Sequence, residues 1–168
     1  MNIAQYTKAA SLEEAWELNQ KRSAVVLGGC CWLRLSPQRR IAQAIDLSAL
    51  GLDQIEEGED SFRLGAMVTL GQLEGHDGLA AFTQGAMKEA VRHMATVGGS
   101  ISGRFGFSDI WTLFLALDAQ VELYKGGIVS LADFGQTGPG KDIVTHIIIP
   151  KKACQTAYES LRLNETDF

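Results

Sequence analysis

The sequence predicts an α+β fold in two lobes, and three observations carry that prediction. Short apolar runs of strand length alternate with short helical segments, without the long regular units of a doubly wound nucleotide fold. Two of the runs, Ala24–Leu27 and Ala95–Val97, break at glycine pairs, Gly28-Gly29 and Gly98-Gly99. A division near residue 55 then leaves one pair in each lobe, 1–55 and 56–152. At 168 residues the chain is long enough for two small cores that share an interface. Hydrophobic residues at 46% and charged residues at 21% are ordinary for a globular domain.

Each element follows from local chemistry. Ser11-Leu12-Glu13-Glu14 has capping-box spacing, and Leu12, Ala15, Trp16 and Leu18 give the helix that follows an apolar face. Ala24–Leu27 reads as a buried strand that ends in a tight glycine loop, and 43–47 as a second strand. Residues 54–56 and 62–64 flank a Gly-and-acid turn and predict a hairpin. Thr69 and Gln72 again have capping-box spacing, and residues 79–91 are rich in Ala, Met, Lys and Glu, all helical material. Asp109 is placed to cap a helix over 110–117. Residues 120–124 and 128–130 bracket Gly126-Gly127, which suits a two-residue hairpin loop. Ile143–Ile149 is a strand that Pro150 ends.

Composition also excludes several functions. Fifteen Lys and Arg against twenty Asp and Glu leave a formal net charge of −5, with no basic stripe, which argues against nucleic acid. The first residues lack a basic start followed by an apolar run, and the longest apolar stretches fall far short of the roughly 18 residues of a membrane span. Cys30, Cys31 and Cys154 form neither a disulfide framework nor a spaced metal site, as expected of reduced thiols in a cytoplasmic protein. His76, His93 and His146 lack partners at ligand spacing, so no metal site is expected. No nucleophile, base and orienting acid can be assembled, so no catalytic residue is assigned. Gly135–Lys141 has the glycine and lysine spacing of a triphosphate-binding loop, but Asp142 stands where a Ser or Thr would ligate magnesium. Trp16, Trp32 and Trp111 read as core or interface packing.

The eighteen glycines exceed the roughly 12 expected from average usage of about 7%. Glycine permits positive φ and close approach of backbone to a ligand, and successive amides in such a loop form an anion-binding nest. Two facing nests suit a pyrophosphate. Met94–Ile101, Ser108-Asp109-Ile110, Leu115–Ala119 and Val121-Glu122-Leu123 together resemble the FAD-binding domain of the molybdopterin dehydrogenase family, the flavin subunits or domains of xanthine and carbon monoxide dehydrogenases. Phe62–Leu70, Ile45–Ser48 and Thr145–Pro150 match further landmarks in the same order, so that the resemblance covers nearly the whole chain.

That resemblance implies a PCMH-like two-lobed fold holding FAD, with residues 153–168 as the truncated start of a C-terminal domain that is otherwise lacking. It implies that Leu27, Gly28, Gly29, Cys30, Cys31 and Trp32 wrap the pyrophosphate through backbone amides. Thr96, Val97, Gly98, Gly99 and Ser100, with Gly103, form the second loop. Ser108 and Asp109 match a pair at the ribityl or diphosphate region, Asp109 being a helix cap, a ligand or both. Val144 matches an apolar residue beside the isoalloxazine. The implied partners are a molybdenum-cofactor subunit and an iron–sulfur subunit, with NAD or another acceptor taking the electrons. The sequence departs from the family at Cys30-Cys31, where Thr or His and then Asp or Ser are usual, and thiols are weak hydrogen-bond partners. It also departs at Ser100–Gly106, where Arg104 is either a phosphate partner or a solvated surface residue, and at Ser160, Leu163 and Asn164, which replace basic residues and leave Arg162 alone. These departures suit an alternative, a scaffold subunit that has lost the flavin. A relative of two-lobed alcohol oxidases is a third reading.

Overall fold

Hydroxyl caps start the helices of the described residues, and the computed structural model shows them at four of those five helices (α1–α5) through serine or threonine side chains facing free amides and at the remaining one through a full capping box. It describes residues 2–35, 40–79, 93–152 and 159. Helix α1 (Leu12–Asn19) is capped by Ser11, which accepts from the Glu14 amide. Glu14 itself reaches one residue further back than a capping box requires and accepts from Ala10 N at 2.8 Å. Helix α2 (Leu70–Glu74) has the complete box, Thr69 and Gln72 each satisfying the other's amide. Thr96 caps α3 (Val97–Gly103), Ser108 caps α4 (Asp109–Ala116), and Ser130 caps α5 (Leu131–Thr137). The cap of α4 is therefore Ser108 and not Asp109, which occupies the first turn, where its charge favours the positive end of the helix dipole.

Among the described residues ten strands form three sheets. β1 (Asn2–Ile3) pairs in parallel with β4 (Arg40–Ile41). β2 (Tyr6–Lys8), β5 (Gln43–Asp46) and β3 (Ala24–Leu27) form a parallel sheet in that order, with α1 as the crossover between β2 and β3. β3 is an edge strand, half-buried along its length and not fully buried, because its free side faces the clefts described below. The third sheet is antiparallel, in the order β6-β7-β10-β8-β9: β6 (Ile55–Glu57), β7 (Ser61–Gly65), β10 (Val144–Pro150), β8 (Gln120–Leu123) and β9 (Gly127–Ser130). The hairpin predicted across residues 57–60 forms, with Ile55 opposite Leu64. The β8–β9 loop has three residues, 124–126, and not two, because Gly127 already pairs with Leu123 at a φ of +69°. Residues 80–91 of the predicted helix, Cys154 and the residues from Tyr158 to Phe168 other than Glu159 lie outside the described residues.

Two apolar clusters result. The larger takes alternate residues of β7 and β10 (Phe62, Leu64, Ile147, Ile149) and packs them under Phe114 and Phe134, both fully buried. Burying each such side chain contributes about 1.5–3 kcal/mol. The smaller gathers Ala9, Ala15, Ile45, Leu47 and Leu52, and Ile143 completes it from the far end of the sequence. Polar ties reinforce that meeting. Buried Asn19 donates to Lys141 O at 2.9 Å, Lys141 Nζ donates to Lys21 O at 2.8 Å, and Glu13 accepts from Tyr124 Oη and Lys125 Nζ, both at 2.7 Å.

The opposite face of the large sheet carries Arg63 between Glu56 at 3.1 Å and Glu122 at 2.8 Å, with His146 Nδ1 3.2 Å from the same Glu122 carboxylate. Burial, and then the Arg63 guanidinium, hold His146 below the usual imidazole range, against the opposing pull of Glu122. The unfolded chain therefore binds more protons at this site, so stability is complete above a pH of about 6.5 and falls as pH drops from there towards the folded-state pKa. Urea unfolding at about pH 7.5 and 5.5 is expected to show that loss, and His146→Gln to reduce it.

Candidate functional site

β3 delivers the chain into the first glycine loop. None of Gly28, Gly29, Gly98 and Gly99 has a positive φ; the left-handed residue is Cys30, at +57°. A residue in that conformation turns neighbouring amides towards one another. Among the described residues, none accepts a hydrogen bond from the amides of Cys30, Cys31 or Trp32, and all three residues line a cleft. Arg34 N donates to Cys30 O at 3.0 Å and locks the loop into a short 3₁₀ turn over Leu33–Leu35. The thiols fold back on the loop, Cys30 Sγ donating to Gly28 O at 3.3 Å and Cys31 Sγ to Gly29 O at 3.6 Å. Burial, with Cys31 and Asp46 adding to it, pushes the Cys30 thiol up, so the thiolate is disfavoured there.

The second glycine pair is not a loop, which corrects the expectation of two facing nests. It forms the first turn of α3, because Thr96 caps that helix. Its amides are already used: Val97 N donates to Val68 O at 2.8 Å, Gly98 N to Ala66 O at 2.9 Å and Gly99 N to Thr96 Oγ1 at 3.2 Å. These glycines serve close approach. A Cβ on Gly98 would stand 2.6 Å from Ala66 Cβ, one on Gly28 2.6 Å from Thr96 Oγ1, and one on Gly29 1.5 Å from Met94 O. Thr96 Oγ1 also accepts from Gly29 N at 3.3 Å and so joins the two segments.

Two clefts flank this junction and share Val25, Val26, Gly28, Gly99 and Ser102. The first, about 290 Å³, is lined by Gly28–Leu33, Ala95, Thr96, Ser100, Gly103 and Phe105. The second, about 300 Å³, is lined by Leu27, Leu47, Ala66, Met67, Gly98, Asp142 and Val144, with Asn19 at one side. Each volume lies at the low end of small-molecule sites, about 300–1,000 Å³, and together the clefts offer an elongated site with two compartments.

Of the residues singled out from sequence, Gly28, Gly29, Cys30, Cys31, Trp32, Thr96, Gly99, Ser100 and Gly103 line the first cleft, and Leu27, Gly98 and Val144 the second. Val97 is fully buried beneath them. Ser108 and Asp109 line neither cleft, because both are taken up by the start of α4. Arg104 is exposed, as expected of a surface residue, and lines neither cleft; it ends α3 at a φ of +50° and donates through Nη1 to Gly135 O at 3.2 Å, closing the last turn of α5. That turn also removes the triphosphate-loop pattern, since Gly135 to Thr137 are helical. Trp111 is half-buried against Phe134, as expected of packing, but Trp32 is 42% exposed and is not core. Ser102, Phe105, Met67 and Asn19 were not expected from sequence as lining residues. Ser102 and Phe105 carried a signal, their closeness to the second glycine pair.

Two adjoining clefts of similar size, one of them lined by Trp32, Phe105 and the glycine loop, suit an elongated ligand with two ends, as expected of a dinucleotide-binding α+β protein. The family model of the FAD binding domain in molybdopterin dehydrogenase matches residues 2–152, and the chain belongs to that family. The uncharacterized protein YgfM of Escherichia coli (strain K12) is 32% identical over 167 residues, covering 92% of this chain. The chain spans 62% of the length of that relative. Among solved structures, reconstituted CO dehydrogenase from Oligotropha carboxidovorans is similar with a TM-score of 0.75 and 28% identity, over 89% of this chain and 59% of that one. A carbon monoxide dehydrogenase from Hydrogenophaga pseudoflava shares the fold with a TM-score of 0.86 at 22% identity, over 98% of this chain and 65% of that one. The two-lobed flavoprotein fold is thus shown, and the cofactor of the family domain is FAD.

The residues present fit that group. The amides of Cys30, Cys31 and Trp32 are donors without an acceptor among the described residues, and these residues line the first cleft, beginning two positions beyond Gly28, which both clefts share. Oxidised and reduced flavin supply the electron-transfer chemistry when bound, while the protein binds and orients the cofactor.

Proposed function

We propose that this chain is the FAD-binding electron-transfer part of a cytoplasmic molybdenum hydroxylase-type oxidoreductase, which takes electrons from iron–sulfur clusters and passes them to NAD or another acceptor. Lobes 1–55 and 56–152 share the cofactor. The backbone of Leu27–Trp32 holds the pyrophosphate against Thr96–Ser100 and Gly103, and Val144 borders the isoalloxazine, while Ser108 and Asp109 fix the start of α4 outside both clefts. One observation supports this reading: two clefts abut at the glycine segments, and the first is lined by a loop whose amides lack acceptors among the described residues. Among the described residues no three His, Cys, Asp or Glu side chains are grouped to hold a metal ion, so the reading assigns the metal centres to a molybdenum-cofactor subunit and an iron–sulfur subunit. No helix among the described residues is long and apolar enough to cross a membrane.

Titration of purified protein with FAD, followed by absorbance and melting, tests the reading. At 100 times the dissociation constant the ligand is expected to add about 2.7 kcal/mol, a rise in Tm of roughly 5–11 °C. Folded protein with no shift and no flavin spectrum would overturn it in favour of a scaffold without flavin.

A further inference from the structure

Three aromatic side chains meet at the rim of the first cleft. Trp32 leaves the first glycine loop, and Phe105 and Phe107 lie in the segment after α3. The Trp32 ring is 4.8 Å from Phe105 and 5.3 Å from Phe107, and the two phenylalanines stack at 5.3 Å with an interplanar angle of 22°. Trp32 remains 42% and Phe107 44% exposed, so these rings contribute less to the core than their size allows.

The backbone holds the cluster in place. Arg104 turns left-handed and is pinned to the end of α5, and Ser108 N donates to Phe105 O at 3.0 Å. Gly103 makes room for the Phe105 ring, which a Cβ would approach to 2.6 Å. The first cleft thus presents amide donors for an anion and, on the same wall, an aromatic face open to solvent. The second cleft differs: its floor of Leu47, Ala66 and Val144 is buried, and among the described residues no aromatic side chain lines it. A large three-ring system with an apolar dimethylbenzene end gains most over that buried floor, whereas a small polar purine keeps its edge in water while stacking on an exposed ring.

We propose that Trp32, supported by Phe105 and Phe107, is the adenine platform of the dinucleotide site. The adenosine half lies in the first cleft and the flavin in the second. The inference rests on the FAD reading above and extends it to specificity: the platform selects FAD over FMN, which has no adenine to stack. Stacking of a base on an aromatic side chain is worth about 1–3 kcal/mol by alanine substitution, roughly a 5- to 150-fold change in affinity.

Calorimetric titration of the wild type, Trp32→Ala and Trp32→Phe with FAD, ADP and FMN tests the assignment, with Phe107→Ala as a second variant and melting curves as the control for folding. Trp32→Ala is expected to weaken FAD and ADP by about 10- to 100-fold and leave FMN unchanged, while Trp32→Phe retains most of the affinity. FAD and ADP binding as tight as in the wild type, or an equal loss of FMN, would overturn the platform and leave the FAD reading standing. A wild type that binds no FAD would overturn both. If Trp32→Ala does not fold, the same comparison is read from Phe107→Ala.

Discussion

Gly29→Ala is expected to separate the two glycine segments and to weaken FAD by about 10- to 100-fold. The new Cβ would lie 1.5 Å from Met94 O and 2.9 Å from Ala95 Cα, both backbone atoms that no rotamer change can move aside. The first loop must therefore lift away from the segment leading into α3. The contact from Gly29 N to Thr96 Oγ1 goes with it, and the neighbouring amides shift in the first cleft. Losing one hydrogen bond to a charged group costs about 1.5–3 kcal/mol, which sets the size of the affinity change. Overpacking adds a destabilisation towards the upper end of about 1–3 kcal/mol. Urea unfolding without cofactor measures the second effect and FAD titration the first. Gly51→Ala is the control: Gly51 meets nothing within 4 Å, so only its φ of +68° is disturbed, and FAD affinity stays at the wild-type value. Unchanged FAD affinity in Gly29→Ala would show that the contact between the segments does not shape the site.

Asp142→Ala is expected to lower stability by about 3 kcal/mol, roughly 6–12 °C in Tm. The residue that spoils the triphosphate-loop pattern has another task in the fold. Its carboxylate accepts from Gly126 N at 2.7 Å, Ile143 N at 2.8 Å and Lys125 N at 3.1 Å, and so holds the β8–β9 turn against the start of β10. Hydrogen bonds to a charged acceptor are worth about 1.5–3 kcal/mol each, but three that share one carboxylate are not additive, and water reaches the turn once the acid is gone. Asp142→Asn keeps one acceptor oxygen and is expected to lose about half as much. Melting of the three proteins without FAD decides the matter; equal Tm values would mean that the turn holds itself.

The same turn shows where sequence reasoning reaches its limit. Strand periodicity identified β8, β9 and β10, and Gly126-Gly127 marked the hairpin, since these signals act over a few residues. The loop length came out one residue short, because Gly127 pairs in the ladder while keeping a left-handed backbone. That Asp142 would satisfy three amides of this region depends on a contact across the sheet, which no local pattern encodes. In the site, the paired glycines were legible as a feature, but their task was not. Close approach between Gly29 and Met94 is a property of two segments that are far apart in the chain.

What the sequence determined by itself is what local physics decides. The hydroxyl caps at Ser11 and Thr69 start their helices, alternation places Phe62, Leu64, Ile147 and Ile149 on one face, and collective resemblance assigns the family. The tertiary structure alone decided how the groups are used. It spent the amides of the second glycine pair on Ala66 and Thr96 and left those of Cys30 to Trp32 without acceptors among the described residues. It turned Arg104 to a helix end and brought Trp32 beside Phe105 and Phe107 at the surface. The reason is physical: capping and alternation are fixed by neighbours within about four residues, whereas a donor's partner and a ring's exposure depend on which distant segment is packed against it.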